Sequence, residues 1–235
     1  MAQALPDANY IRDLFDRIAP VYDDLNQSLS LGLHTIWKQM TVDWSGAKPG
    51  MNVLDVCCGS GDLALLLARQ VGSQGQVTGA DFAVEQLAIA TQRSAAKGYT
   101  PYTKWVEADA LCLPFEANHY DAATMGYGLR NLTDIPRGLR ELHRVLKPGA
   151  KVAILDFHQP SSRLVQKFQQ WYLNTIVIPA AESFGLNEEY AYIGPSVDRF
   201  PIGREQVSLA QAAGFSKAVH YALAGGMMGV LVAQK

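Results

Sequence analysis

At 235 residues, 49% apolar and with a formal net charge of -2, the chain suits a single soluble domain with a full hydrophobic core, and its dispersed basic residues exclude an electrostatic footprint for nucleic acid. Its three cysteines, Cys57, Cys58 and Cys112, have neither CxxC spacing nor a histidine at zinc spacing, so reduced thiols in a cytoplasmic protein, and no metal, are expected. Asp7, Arg12, Asp13, Asp16 and Arg17 interrupt the N-terminal apolar residues and exclude a secretory segment, and no apolar run approaches the roughly 18 residues of a membrane span.

Residues 7–44 read as helices ahead of the first strand. Ile11, Leu14, Phe15 and Ile18 recur at helical spacing until Pro20, and a second pattern runs through Leu29, Leu33, Ile36, Trp37 and Met40. Between them stand Tyr22, Asp23 and Asn26, while His34 and Trp37 lie one helical turn apart on one face. Such a segment suits a docking helix whose His34 is an ordinary core or surface histidine. It equally suits a lid in which Tyr22, His34 and Trp37 line a substrate pocket.

Residues 53–55 form a short strand pattern, the turn Cys57-Cys58-Gly59-Ser60-Gly61-Asp62 follows, and Leu63, Leu66 and Leu67 open a helix. Gly59-x-Gly61-x-x-Ala64 satisfies the relaxed dinucleotide fingerprint, so the glycines alone admit a nicotinamide cofactor as well as S-adenosylmethionine (SAM). The carboxylates separate the two. A pyrophosphate seeks bare amide donors at a helix N-terminus, where Asp55 and Asp62 would repel it. SAM carries a sulfonium and an ammonium instead, although Asp62 also suits a plain helix-capping role. Residues 76–81 form a second strand ending in Asp81, whose carboxylate suits the ribose hydroxyls of either cofactor.

Residues 83–97 are helical, with Val84, Leu87, Ala88 and Thr91 on one side and Lys97-Gly98 as the stop. A third strand over 104–108 leads into Asp109 and Ala110, where a carboxylate can read an adenine amino group. After a loop over 111–118, residues 120–127 form a strand apolar enough to be central, leaving through Gly126-Tyr127-Gly128-Leu129-Arg130-Asn131 at the edge where ligands of open α/β sheets sit. Residues 134–146 make a helix stopped by Lys147-Pro148-Gly149, and 151–156 a fifth strand. Residues 161–181 read as an inserted helix bearing Leu164, Phe168, Trp171, Tyr172 and Ile176, a face suited to core packing, to covering a lipophilic substrate or to a membrane surface. Residues 189–201 read as a polar loop and 205–213 as a helix ended by Gly214; the tail reads as strand, Gly225-Gly226 turn, strand.

This order predicts an α/β, Rossmann-like fold: a seven-stranded, mostly parallel, doubly wound sheet with the last strand antiparallel. The expected organisation is one domain over 1–235, with a helical lid over 1–44 and an inserted helix and loop over 159–200. Asp55, Asp81 and Asp109 then fall at the carboxyl ends of three strands, a crest suited to a cationic adenosyl cofactor.

Three segments carry a family resemblance: Tyr22-Asp23-Asp24-Leu25-Asn26 leading to Ser30-x-x-x-His34-x-x-Trp37, then Gly126 to Asn131, then Arg144-Val145-Leu146-Lys147-Pro148-Gly149. Over nearly its whole length the chain resembles the class I SAM-dependent methyltransferases and, within them, the ubiquinone/menaquinone biosynthesis C-methyltransferases. The resemblance implies methyl transfer from SAM to a ring carbon of a prenylated quinol. It also implies cofactor contacts from Gly59, Ser60, Gly61, Asp81, Asp109, Ala110 and Gly126. The wording is most similar to the cyanobacterial and plastid branch, whose acceptor is the 2-phytyl-1,4-naphthoquinol of phylloquinone synthesis. The chain departs from the family at Cys57-Cys58-Gly59-Ser60 and at Asp156-Phe157-His158-Gln159-Pro160, where relatives usually read Ala-Gly-Gly-Thr and Glu-Phe-Ser-Lys-Pro.

Methylating an aromatic carbon needs electron density there, so the quinone must first be reduced, and the enzyme's task is alignment and stabilisation of an oxyanion. Arg130, beside the expected methyl position, is the catalytic candidate: it would stabilise the oxyanion or hold a water, or else tie its loop down through a salt bridge. Arginine stays protonated and is no base. His34 and His158 are the remaining proton acceptors, of which His158 is absent from most relatives. Cysteine addition to the ring is unnecessary for a substrate already nucleophilic. The rival readings are an O- or N-methyltransferase, a catalytically silent SAM-binding subunit and a nicotinamide-dependent oxidoreductase. A prenyl tail partitions into bilayers, so peripheral membrane association through 161–181 and the lid is expected, while self-association is left open.

Overall fold

The computed structural model describes residues 32–179 and 193–235. The first helical pattern, Tyr22 and residues 180–192 of the expected insertion lie outside the described residues.

Seven strands form one sheet in the order β3-β2-β1-β4-β5-β7-β6. They are β1 (Asn52–Val56), β2 (Gln76–Asp81), β3 (Thr103–Glu107), β4 (Tyr120–Gly126), β5 (Leu146–Phe157), β6 (Lys217–Leu223) and β7 (Met228–Gln234). β7 runs antiparallel to both β5 and β6, and the pairings among β1 to β5 are parallel, as the alternation of strands and helices predicts. The central strands β1 and β4 are buried along nearly their whole length because helices cover both faces. One core layer packs Leu54, Met125 and Ile154 against Leu139 and Leu142 of α4 (Ile135–Val145). The other packs Val53 and Val77 against Leu63, Leu67 and Val71 of α2 (Asp62–Val71). Each such fully buried side chain contributes about 1.5–3 kcal/mol.

Local chemistry sets the element ends. Asp134 caps α4 by accepting a hydrogen bond from the Arg137 amide at 2.9 Å, with Pro136 in the first turn where no intrahelical donor is lost. Arg144, in the third of the family-like segments, has a structural role: its guanidinium donates to the carbonyls of Phe115 at 2.6 Å and Leu113 at 2.8 Å and fastens the loop before β4.

The structure corrects the sequence reading of three helical elements. α1 (Leu33–Ser45) buries His34, Lys38, Thr41, Val42 and Ser45, whereas Leu33 and Ile36, expected to face inward, are 46% and 55% exposed. The inward face is one of small and polar side chains; Thr41 and Ser45 satisfy their hydroxyls on the Trp37 and Val42 carbonyls at 2.8 and 2.6 Å. Within the expected polar loop, α6 (Ile193–Arg199) forms, with Ile193, Ser196 and Val197 turned inward at helical spacing. The inserted helix α5 (Arg163–Tyr172) continues into a wider π turn over Leu173–Val177.

Candidate active site

From β1 the chain builds outward through β2 and β3, with α3 (Val84–Ala96) between them, then returns to add β4 on the other flank. The sheet therefore has its topological switch point between β1 and β4, where ligands of doubly wound folds bind. A cavity of about 470 Å³ opens there, above the carboxyl ends of the strands.

Two kinked loops frame it. Cys57, directly after β1, and Tyr127, directly after β4, both adopt left-handed backbone, with φ of 54° and 58°. Such strain costs about 1–3 kcal/mol per residue and persists only where the surroundings enforce it. Here the Tyr127 amide donates to the Leu155 carbonyl at 2.7 Å, and the Cys58 amide to that of Ala80 at 3.1 Å. The loops interlock at Gly128, where an added Cβ would lie 2.6 Å from the Cys57 Cβ. Gly61, with φ of 89°, turns the chain into α2 beneath the Trp105 ring, which leaves a Cβ only 2.9 Å.

Of the residues singled out from sequence for the cofactor, Asp55, Gly59, Ser60, Asp81, Asp109, Ala110 and Gly126 line this one cavity; Gly61 stands behind it as the turn. Asp55 is wholly buried, and the β1–β4 register sets Thr124 beside it, whose hydroxyl donates to Oδ1 at 2.7 Å. Its Oδ2 has no hydrogen-bond partner among the described residues, and burial pushes the carboxyl up to about 7. Asp81 accepts the Gly59 amide on Oδ2 at 2.8 Å and the Ala83 amide on Oδ1 at 2.9 Å, which braces the glycine turn. A carboxylate oxygen so engaged keeps a further lone pair for a ligand hydroxyl. Asp109 is exposed at the cavity mouth and accepts the Leu111 amide at 2.8 Å.

Asp62 departs from the sequence reading. It does not stand as a bare anion beside the turn; it is ion-paired with Lys38 and, at 2.5 Å, with Arg93. Burial pushes its carboxyl up, but the two cations outweigh burial and hold it below the usual range. Arg93 also donates to the Ser60 carbonyl and hydroxyl at 3.0 and 2.8 Å.

Arg130 is the larger correction. It is not part of the cavity wall: it is buried, with Nη1 on Asp156 Oδ1 at 2.8 Å and on the Tyr127 carbonyl at 2.7 Å, and its guanidinium lies 5.1 Å from the Phe157 ring centroid. Asp156 in turn accepts the Arg130 amide at 3.1 Å, and burial raises its carboxyl despite the adjacent guanidinium. The residue ties the loop after β4 to the end of β5. Its neighbour Asn131 does reach the cavity, with a buried Oδ1 that has no hydrogen-bond partner among the described residues.

His34 and Trp37 do not line the cavity either, and Tyr22 lies outside the described residues. Trp37 packs on the apolar patch of β5 and β7 around Leu155 and Val230. His34 is buried one turn before Lys38, and burial, followed by that ammonium, lowers its pKa. His158 is fastened at both ring nitrogens: Nδ1 is 3.0 Å from the Gly226 carbonyl, to which it donates, and Nε2 accepts the Gly203 amide at 2.9 Å. It stacks on His220, 4.5 Å away, whose own pKa burial lowers to about 4. Cys57 and Cys58 both contribute to the cavity wall, and burial, then the surrounding carboxylates, pushes both thiols up. A protonated thiol is a poor nucleophile.

Lys38 and Gln86 are cavity residues that sequence reasoning missed. The only signal for Lys38 is a lysine at helical spacing from Thr41 and Ser45, a small polar face where an apolar one is expected. Five carboxylates, Asp55, Asp62, Asp81, Glu107 and Asp109, line the cavity against the single cation Lys38 among the described residues. That balance, with the unpartnered Asp55 oxygen, fits a donor with a net positive charge and a free ammonium, and disfavours a diphosphate.

A seven-stranded Rossmann-like sheet with an acidic pocket at its switch point is the fold and site of a SAM-dependent methyltransferase. Solved structures agree on the fold: a SAM-dependent methyltransferase from Aquifex aeolicus superposes with a TM-score of 0.63 at 21% identity, covering 84% of this chain and 88% of that one. The chain belongs to the ubiE/COQ5 methyltransferase family, whose model matches residues 3–235. It is 63% identical over 227 residues to a 2-phytyl-1,4-naphthoquinone methyltransferase of Trichormus variabilis, covering 97% of this chain and 99% of the relative. It is also 51% identical over 230 residues to the chloroplastic 2-phytyl-1,4-β-naphthoquinone methyltransferase of Arabidopsis thaliana, covering 97% and 88%. The protein is thus a methyltransferase that uses SAM, and the nicotinamide reading falls.

Proposed function

We propose that this methyltransferase acts on a ring carbon of reduced 2-phytyl-1,4-naphthoquinone, completing a phylloquinone-type quinol. The observation that carries this reading is the near full-length identity, 51–63%, to relatives named for that substrate. When bound, SAM supplies an electrophilic methyl group on a sulfonium. Asp81 would hold its ribose hydroxyls, Asp109 and Ala110 its base, and the free Asp55 oxygen its ammonium. The glycines of the turn let backbone approach closely. The Cys57 thiol, kept protonated by burial and nearby carboxylates, does not compete for an electrophilic quinone ring.

On the β4 side, Asn131 Oδ1 can accept a hydrogen bond from a quinol hydroxyl and orient the ring, and Tyr127 offers an apolar wall. Arg130 acts through these two as a positioning residue. Reaction then rests on alignment more than on a strong base. Ring specificity is tested by comparing kcat/KM on phytylated naphthoquinol and on a benzoquinol of the same tail. At least a tenfold preference for the naphthoquinol is expected, and the opposite order would move the substrate to a benzoquinol.

A phytyl tail resides in lipid, and the same proposal includes reversible docking on a bilayer from the cytoplasmic side. In its support, Leu164, Phe168 and Trp171 align along α5 at 79%, 49% and 52% exposure, an apolar stripe such as interfacial helices present. No helix among the described residues is long and apolar enough to cross a membrane. Phe168→Ser with Trp171→Ser should abolish co-flotation with anionic liposomes while shifting stability by no more than about 0.5 kcal/mol. Failure of the unaltered protein to float, with and without quinone in the bilayer, would remove the docking.

A further inference from the structure

We infer that Lys38, on the N-terminal helix α1, binds the carboxylate at the amino-acid end of the methyl donor; this rests on the assignment of SAM as that donor. Lys38 is 5% exposed, lines the cavity, and its ammonium lies 5.9 Å from the Tyr127 ring centroid on the β4 side. Its ion pair with Asp62 engages one of three N–H donors. Asp62 is shared with Arg93, so these three side chains together carry one excess positive charge and Asp62 does not neutralise Lys38 by itself.

The sheet order gives the cofactor a direction. Asp109 and Ala110 follow β3, Asp81 ends β2, Asp55 lies on β1, and Tyr127 follows β4. With the ribose at the β2 end, the base extends toward β3 and the amino-acid end toward β1 and β4. That end bears one ammonium and one carboxylate. The unpartnered Asp55 oxygen answers the ammonium. For the carboxylate, the other charged side chains of the wall among the described residues are all acidic, and of these residues Lys38 alone has the right sign. A helix that precedes the sheet thereby supplies a ligand contact, and the Asp62 pair holds its ammonium in place before the donor arrives.

The test is calorimetric affinity of the folded, full-length protein for SAM and for decarboxylated SAM, which differ at the carboxylate. The unaltered protein should prefer SAM. Lys38→Met should weaken SAM by about tenfold or more, as expected for losing a charge-assisted contact, and decarboxylated SAM by no more than about twofold. Lys38→Arg should keep most of the preference. Equal weakening of both ligands, or of neither, would overturn the inference, since a lysine that only braces the turn through Asp62 cannot tell them apart. Should Lys38→Met not fold, Asp62→Asn decides: freeing Lys38 should raise the preference for SAM, and an unchanged ratio would overturn the inference. If the unaltered protein bound neither ligand, the donor assignment itself would fall.

Discussion

The buried carboxylate of Asp55 makes donor binding pH-dependent in a calculable way. Its pKa is raised by burial to about 7, and an ammonium ligand pairs with the ionised form. If only that form binds, the apparent Kd carries a factor of 1 + 10^(7 − pH), so affinity should fall about eightfold from pH 7.5 to pH 6, with about 0.9 proton released per donor bound at the lower pH. This window lies below the pH at which a donor amino group loses its own proton. The sign for folding is the reverse of the usual carboxylate case: the native state keeps a proton that the unfolded chain releases. Stability of the ligand-free protein from this group is therefore highest below about pH 4, declines up to about pH 7 and is level above, with a total of about 4 kcal/mol at 1.36 kcal/mol per unit. Titration calorimetry in two buffers of different ionisation enthalpy reads the proton release, and Asp55→Asn should show neither the release nor the pH slope. An affinity that is flat between pH 6 and 7.5, or a slope that survives Asp55→Asn, would refute the assignment of Asp55 to the ammonium.

Three further substitutions probe the frame of the cavity. Gly128→Ala should destabilise by about 1–3 kcal/mol because its Cβ would meet Cys57, and adding Cys57→Gly, which also relieves a positive φ, should recover most of the loss in a denaturant titration. Arg130→Met leaves Asp156 buried without its cation and should cost about 3–5 kcal/mol, with the loss of methyl transfer following the disordering of the β4 loop; unchanged stability would show that the pair does not hold that loop. His158→Ala removes two backbone contacts and should cost about 1–3 kcal/mol while leaving the shape of the pH–rate profile intact, whereas loss of one limb of that profile would make His158 the base after all.

The sheet and the acidic crest were legible because each rests on local patterns: apolar strands, glycine turns, and carboxylates at strand ends that the βα alternation carries to one edge. What the pattern of the chain conceals is where long side chains turn. Arg130 stands at the ligand edge in sequence, yet Asp156 at the end of the neighbouring β5 draws its guanidinium behind the wall, and that pairing depends on strand order. Asp62 and Lys38 meet only when α1 docks beside α2, so an apparently free anion proves to be neutralised. α1 itself was read from its large apolar residues, whereas its inward face carries small and polar side chains, of which Lys38 reaches the cavity wall. His158 resembles a base in sequence, and only the tertiary meeting of the Gly203 and Gly226 backbones locks it. α6 is too short, at seven residues, for its periodicity to stand out from a polar stretch.

The most direct measurement is methyl transfer from methyl-labelled SAM to 2-phytyl-1,4-naphthoquinone, run with and without a chemical reductant, with the labelled atom located by mass spectrometry and NMR. Label is expected on the ring carbon next to the phytyl-bearing one, and only when the quinone is reduced. Label on oxygen, equal transfer to the oxidised quinone, or no transfer to this acceptor under reduction would contradict it.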